Sequence, residues 1–498
     1  MSVNIYIDSC GSNLIGAVAD GTRLLEYRIE KQNQAVTIGS IYRGRVENVL
    51  QGMQAAFVNV GLERNGYLSA EDMLMDRSEL EGKVEIPSIL DLKVGDEIMV
   101  QAVKDPAGTK GVRLTTNISF AGRYVVYMPT IDFVGVSRKI TDEKTRESLM
   151  ETAKALKPKK AGIIIRTAAL EATKRELHHE IKYLTKKFEG ITKLYKASKA
   201  PYCVHEEGHL AFRMIRDVYG AHIDKFIVSD EDTYKKIRDY ASKADKELKG
   251  KLQLYDKKTD MFRYYGLEAD VETLIDNKVN LESGAYLIID KTEALTVIDV
   301  NTGGYTGKDS LEETVFETNL LAAEEISRQL RLRNISGIII VDFIDMVDPE
   351  HRRKLLEVLK EALDKDRERC NVVGMTGLGL VEITRKKRRR ESVSMMVKSC
   401  PYCQGTGQIQ SNDYTVMRIR TELLDLFADG YDNAVIDLNA EIADYILTKN
   451  LLKKDLEKIY KNKRVYLIPH KTYHQHVFHI KGDNNKAMVV SDKAILLY

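Results

Sequence analysis

Two apolar runs in the middle of the chain each end in a carboxylate: Asp299 in LTVIDVN and Asp342 in GIIIVDFID. Short apolar runs of this kind read as buried strands, and the stretch from about 311 to 333 between them reads as a helix. Ser310 and Glu313 form a capping-box signature at its start. Strand, helix, strand predicts a βαβ unit whose two strands are parallel, with both carboxyl ends on one sheet edge, where ligands of open α/β folds collect. Adjacent strands lie ~4.8 Å apart, so two carboxylates there can share one hard cation. Asn301, two residues beyond Asp299, points to the same side, whereas Asp345 falls off that side unless the chain turns. The donors are oxygens and no His is close in sequence, which favours magnesium. A single strand-end Asp more often caps a turn. Two on paired strands, with an Asn beside them, argue for a metal site. Asp8, ending the first strand, has no partner acids at readable spacing and is expected to be a turn residue.

Cys400 and Cys403 stand in C-x-x-C-x-G-x-G, a zinc-knuckle-like turn. A structural zinc takes four ligands, and the chain has no second Cys-x-x-Cys pair. Two chains could each give two thiolates across a two-fold axis, which predicts a homodimer. The alternatives are a zinc completed by Cys370 or a His, or a free thiol pair. Phe57 and Tyr67, in AAFVNVGLERNGYLS, fall on neighbouring strands, with Arg45, Arg64 and Lys104 close in sequence. Exposed aromatics flanked by cations stack bases and hold phosphates. Phe57 fits a barrel interior equally well.

The elements that position these groups follow from composition and punctuation. With 498 residues, 43% hydrophobic and 30% charged, the chain is too long for one core and too apolar to be disordered. A meander over 1–35, with a hairpin at Asp20-Gly21, is too small to stand alone and is expected to be completed by the helix-rich, charged stretch 212–275. Five short strands over 36–117 predict an OB-fold barrel. Strands and helices alternate over 118–211, the α/β unit spans 276–395, the cysteine turn lies in 396–410, and a small α+β domain fills 411–498. The net charge of +2 is silent about nucleic acid, but RKKRRR at 385–390 and KALKPKK at 154–160 suit either a solvated face or a polyphosphate backbone. No run reaches the ~20 apolar residues of a membrane span, and the amino terminus lacks signal-peptide order, so a cytoplasmic protein is expected.

Six segments, GSIYRGRVENVLQGMQAAFVNVGLERNGYL, ISFAGRYVVYMP, GIIIRTAA, ALTVIDVNTG, SRQLRLRNISGIIIVDFIDM and CPYCQGTG, stand in the order found in the ribonuclease E/G family of bacterial endoribonucleases. The chain resembles that family over most of residues 1–410. Ending at 498 without an extended tail, it is expected to follow the family's short form. The resemblance implies an RNase H-like domain split around an OB-fold and a 5′-sensor domain, followed by a DNase I-like catalytic domain and a zinc link. It assigns the catalytic magnesium to Asp299 and Asp342, and to Asn301 the orientation of the scissile phosphate or a metal-bound water. Gly122, Val126, Arg166 and Thr167 match positions that receive a 5′-monophosphate. Without the resemblance, a lone Arg166 after a strand reads as a surface salt bridge. The implied activity is magnesium-dependent cleavage of single-stranded RNA (rRNA precursors and mRNA) to 5′-phosphate and 3′-hydroxyl ends. The implied assembly is a zinc-linked dimer, with a tetramer of two such dimers left open. A non-catalytic RNA-binding protein and a DNA phosphodiesterase are the competing readings.

Overall fold

A computed structural model describes residues 2–32, 38–73, 89–106, 111–220, 222–244, 246–304, 311–386, 391–453, 457–458, 462–484 and 493–497. Ser310, the end of the 385–390 basic run and part of the glycine-rich loop after Asn301 lie outside these residues. The chain forms two compact units, Met1–Val397 and Lys398–Tyr498. No described helix is long and apolar enough to cross a membrane.

The amino-terminal meander is β1 (Val3–Cys10), β2 (Asn13–Asp20) and β3 (Arg23–Lys31). Next come the barrel strands β4 (Ile41–Leu50), β5 (Ala55–Asn59), β6 (Gly66–Ser69), β7 (Glu97–Lys104) and β8 (Arg113–Thr115). They pair in the order β4-β5-β6-β8-β7, and β7 returns to pair with β4, so five strands close a small OB-like barrel. Its interior is tight: a Cβ on Gly66 would lie 2.4 Å from Leu114 Cδ1, so any larger residue there must displace Leu114.

The third sheet has β9 (Phe120–Ala121), β10 (Val125–Met128), β11 (Val134–Val136) and β12 (Gly162–Ile165), packed under α1 (Glu143–Leu156) and α2 (Lys174–Ala197). Thr173 and Glu176 build a complete capping box at the start of α2. Strand β13 (Tyr202–His205) then adds to the barrel at β4. After α3 (Leu210–Asp217), β14 (Ile223–Val228) pairs parallel with β1, and following α4 (Glu231–Ala244) and α5 (Lys246–Lys251), β15 (Leu252–Leu254) extends the same sheet. The meander therefore gains its missing layers from a segment about 200 residues downstream, with α3 and α4 burying Leu210, Met214, Ile237 and Ala241 against it.

After α6 (Met261–Tyr264) and α7 (Glu268–Glu272), a six-stranded sheet follows. Its strands are β16 (Lys278–Asn280), β17 (Tyr286–Lys291), β18 (Leu295–Asn301), β19 (Gly337–Asp342), β20 (Cys370–Met375) and β21 (Val381–Arg385), ordered β16-β17-β18-β19-β21-β20. As the βαβ pattern predicts, α8 (Leu311–Leu332) connects β18 to β19 and the two strands are parallel. With α9 (Pro349–Asp364), α8 covers one face, burying Ile298, Val300, Ile339 and Val341. The alternate residues Leu295, Val297, Ile338 and Ile340 point to the opposite, open face, where Ile338 is 51% exposed. Arg385, the first residue of the basic run, departs from the expectation of a solvated or phosphate-binding face. Its guanidinium is buried, 2.9 Å from Asp366, and donates also to Asn334, Ile335 and Ser336.

The second unit has α10 (Asn412–Ala428), β22 (Asn433–Asn439), α11 (Ala440–Thr448), β23 (Arg464–His470), β24 (Phe478–Asp483) and β25 (Ile495–Leu496). It is an α+β layer of strands ordered β24-β22-β23-β25 over a core of Ile419, Leu423, Ile436, Ile442 and Leu467.

Candidate active site

Asp299 and Asp342 are direct register partners on β18 and β19, so their carboxylates leave the same open face side by side. Both are exposed. Asn301, at the next outward position of β18, donates from Nδ2 to Asp299 Oδ2 at 2.9 Å and fixes that carboxylate. Asp342 holds its proton more tightly than an ordinary carboxyl, first through partial burial and then through the charges of Asp299 and Asp345. Asp345 lies beyond the end of β19, near enough for its charge to act on Asp342. Among the described residues none of these three carboxylates is in an ion pair, and Asn301 is the side chain that donates to the couple.

That arrangement fits a magnesium ion, which keeps several waters and takes only one or two protein carboxylates. No described cluster of three or more His, Cys, Asp or Glu could hold an ion outright.

A residue that sequence spacing did not single out holds the chain beyond β19. Asn319 on α8 is fully buried, donates from Nδ2 to the Ile344 carbonyl at 2.8 Å and accepts from the Ile344 N–H at 3.1 Å. This two-way clamp fixes the backbone between Asp342 and Asp345. A buried polar residue in the middle of an apolar helix face was its only sequence signal.

On the barrel, Phe57 pairs in register with Tyr67, their ring centroids 6.0 Å apart and edge-to-face. Both are half-buried and outside the barrel core, so Phe57 is not an interior residue. Tyr67 pairs onward with Arg113 on β8, and Arg113 with Lys104 on β7, making one row of two rings and two cations across four strands. Arg113, which the sequence reading missed, is held by Asp72 at 2.6 Å. Arg45, by contrast, is engaged with Glu97 at 3.3 Å, across the barrel seam and away from that row.

Arg166 follows β12 and donates to the carbonyl of Gly122 and, at 3.1 Å, to Asp217. It makes the salt bridge that a lone arginine there suggests, and it also brings Gly122 and Arg166 together. Val126 lies on the adjacent strand and Thr167 is exposed directly after Arg166. The loop carrying Gly122 is anchored by Glu180, whose carboxylate accepts from the backbone N–H groups of Arg123, Tyr124 and Val125. Asp217 also pairs with Arg216 at 3.0 Å, and Arg216 with Glu207. Burial would raise the Asp217 carboxyl, but Arg216 and then Arg166 outweigh it and hold it far below the usual range. Asp8 is not the expected turn residue: it lies within β1, paired with Ile15 of β2, and accepts from Ser9 N–H at 2.9 Å and from the Ser229 hydroxyl.

In the second unit, Cys400 is exposed and Cys403 half-buried. The backbone N–H groups of Gly407 and then Gly405 lower the Cys403 pKa, with a smaller contribution from Cys400, so the turn is built to stabilise a thiolate.

Acidic side chains at the open strand ends of an α/β sheet, together with a closed barrel that carries outward rings and cations, define a multidomain enzyme equipped for a polyanionic substrate. Comparison with known proteins makes this specific. The model of the Ribonuclease E/G family matches residues 119–388. Ribonuclease G of Escherichia coli (strain K12) is 38% identical over 429 residues, covering 85% of this chain and 88% of the relative. Ribonuclease G of Haemophilus influenzae is 37% identical over 477 residues, covering 93% and 96%. Ribonuclease E of Nostoc sp. is 38% identical over 375 residues, which are 74% of this chain and 54% of the relative. The chain belongs to the Ribonuclease E/G family and is an endoribonuclease.

Proposed function

We propose that the chain hydrolyses internal phosphodiesters of single-stranded RNA with magnesium held by Asp299 and Asp342. The observation that carries this reading is the in-register, unpaired carboxylate couple on an open face. When bound, magnesium supplies Lewis-acid stabilisation of the charge that develops on the phosphate. Asn301 spends one N–H on Asp299 and keeps its second for a phosphate oxygen. Asp299 and Asp342 cannot approach a phosphate uncompensated, which argues against a purely RNA-binding protein. Water as nucleophile, with the P–O3′ bond broken and the 3′ oxygen leaving with a proton, gives 5′-phosphate and 3′-hydroxyl ends.

The Phe57–Tyr67–Arg113–Lys104 row supports binding of unstacked bases beside their phosphates. Arg166, with Gly122, Val126 and Thr167, is proposed to receive a 5′-monophosphate, which must compete with Asp217 for the guanidinium. The proposed substrates are rRNA precursors and mRNA. The Cys400–Cys403 turn is proposed to share one zinc with the same turn of a second chain.

The test is incubation of matched RNA and DNA oligonucleotides with magnesium. RNA alone should be cut, leaving 5′-phosphates. Asp299→Asn and Asp342→Asn should each cut at least ~100-fold more slowly while still binding RNA. Cleavage that persists in EDTA, or 2′,3′-cyclic ends, would overturn the mechanism, and equal cleavage of DNA would overturn the substrate class.

A further inference from the structure

Strand β17 brings a side chain to the carboxylate couple that no part of the mechanism above uses. Tyr286 is the direct register partner of Asn301, just as Ile288 is that of Asp299. Register partners share a face, so the row across the open side of the sheet reads Tyr286, Asn301, then Asp299 and Asp342 one step along. Cross-strand neighbours are ~5 Å apart at Cβ, about one nucleotide's reach from ring to carboxylates.

Three further observations distinguish Tyr286 from an ordinary strand aromatic. It is only partly buried and is absent from the core that α8 and α9 cover. Its ring is met by the Lys278 ammonium of β16, 4.0 Å from the centroid. Lys278 is exposed and, among the described residues, forms no ion pair. The backbone also fits around the ring. Gly303, at φ +58°, lies so close that a Cβ there would come 2.4 Å from the Gly284 carbonyl and 3.4 Å from Tyr286 Cδ1. The start of the loop after Asn301 is thereby laid against the ring edge, which no residue with a side chain would permit.

We propose that Tyr286 and Lys278 form a nucleotide platform at the active site. Tyr286 stacks the base of a nucleotide flanking the scissile phosphate, and Lys278 takes a phosphate oxygen of the same strand. An exposed cation–π contact is weak, so the ammonium shifts readily to a phosphate and leaves the ring for a base. The platform also places an unpaired cation beside carboxylates that would otherwise repel the RNA backbone. This rests on the reading of Asp299 and Asp342 as the reacting centre, and it makes Tyr286 a positioning residue.

The test uses the full chain without magnesium and a short single-stranded RNA in which 2-aminopurine replaces each base in turn. Of the positions quenched on binding, one should owe its quench to Tyr286. Tyr286→Leu, which keeps bulk without a π face, should abolish that quench and weaken binding roughly 10-fold, whereas Tyr286→Phe should retain both. Lys278→Gln should lower the slope of log affinity against log salt by ~0.7, the loss of one single-strand phosphate contact. Unchanged quenching in Tyr286→Leu, or an unchanged salt slope in Lys278→Gln, overturns the platform. Magnesium-dependent cleavage by the wild type is read separately. Its absence with the Tyr286-dependent quench intact sinks the metal-site reading and leaves the platform standing; its presence with no Tyr286-dependent quench sinks the platform alone.

Discussion

Asn319 offers the sharpest test of how the fold sets the site. It is fully buried, and both ends of its amide are spent on the Ile344 backbone, at 2.8 and 3.1 Å. Asn319→Ala removes both partners at once and leaves one backbone N–H and one carbonyl without a side-chain partner. A buried polar group left unsatisfied costs ~1–3 kcal/mol, so two give at most roughly 2–6 kcal/mol, lowered because water reaches the half-buried Ile344. A fold stable by ~5–15 kcal/mol survives that loss, so the variant should remain folded with a lower urea midpoint. Activity should fall further than stability requires, because the freed segment carries Asp342 and Asp345. A displacement near 1 Å at reacting groups costs ~100-fold. Urea unfolding and magnesium-dependent cleavage of one RNA measure the two effects side by side. Asn319→Asp, which keeps the acceptor and loses the donor, should not restore activity. Full cleavage rates in Asn319→Ala, at any stability, would refute the view that this clamp positions the carboxylates.

Asp366→Ala should cost ~3–5 kcal/mol in urea unfolding, since it strands the buried Arg385 guanidinium, and adding Arg385→Met should recover most of it. Glu207 should contribute to acid stability: burial pushes its carboxyl up, but the His205 hydrogen bond and Arg216 outweigh this and bring it to about 2. Because the folded value lies below the unfolded one of ~4.3, its contribution, up to ~3 kcal/mol, is present above that pH and is lost as pH falls towards about 2. Glu207→Gln should therefore lower the urea midpoint at pH 7 and have little effect at the acid end. Zinc analysis with native mass should give one zinc per two chains, and the double variant Cys400→Ala, Cys403→Ala should lose both zinc and dimer; one zinc per chain would rule out a shared site.

What the sequence made legible was local. Asp299 and Asp342 could be paired because each closes an apolar run and the helix between them dictates a parallel neighbour. Phe57 and Tyr67 could be paired because a short connection joins their strands. Arg113 escaped because β8 reaches β6 in parallel after a long excursion, and nothing in residue spacing encodes that register. Asn319 and Glu180 escaped for a related reason: their partners are 25 and 55–57 residues away and are backbone groups, which leave no trace in side-chain pattern. Asp345 depended on the course of the chain beyond β19, and Arg45, though near Phe57 in sequence, is drawn to Glu97 by the pairing of β4 with β7.

The near-neutral charge of the chain was equally uninformative, and the pairings explain why. Many acids are consumed internally: Glu97 by Arg43 and Arg45, Asp72 by Arg113, Asp217 by Arg166 and Arg216, Asp366 by Arg385, and Glu180 by three backbone N–H groups. A count of 76 basic against 74 acidic residues includes all of these and cancels them without saying where they are. What reaches a substrate is the remainder that no protein partner neutralises. On the open sheet face that remainder includes Asp299 and Asp342 at the strand ends, Asp290 and Glu382 on the flanking strands, and Lys278 at the edge. Carboxylates left to repel each other cost stability, and a fold retains such a cost where a cation relieves it in the working state. The site is thus marked less by the presence of acids, which are common throughout the chain, than by two of them, Asp299 and Asp342, standing in direct register with no described basic partner between them.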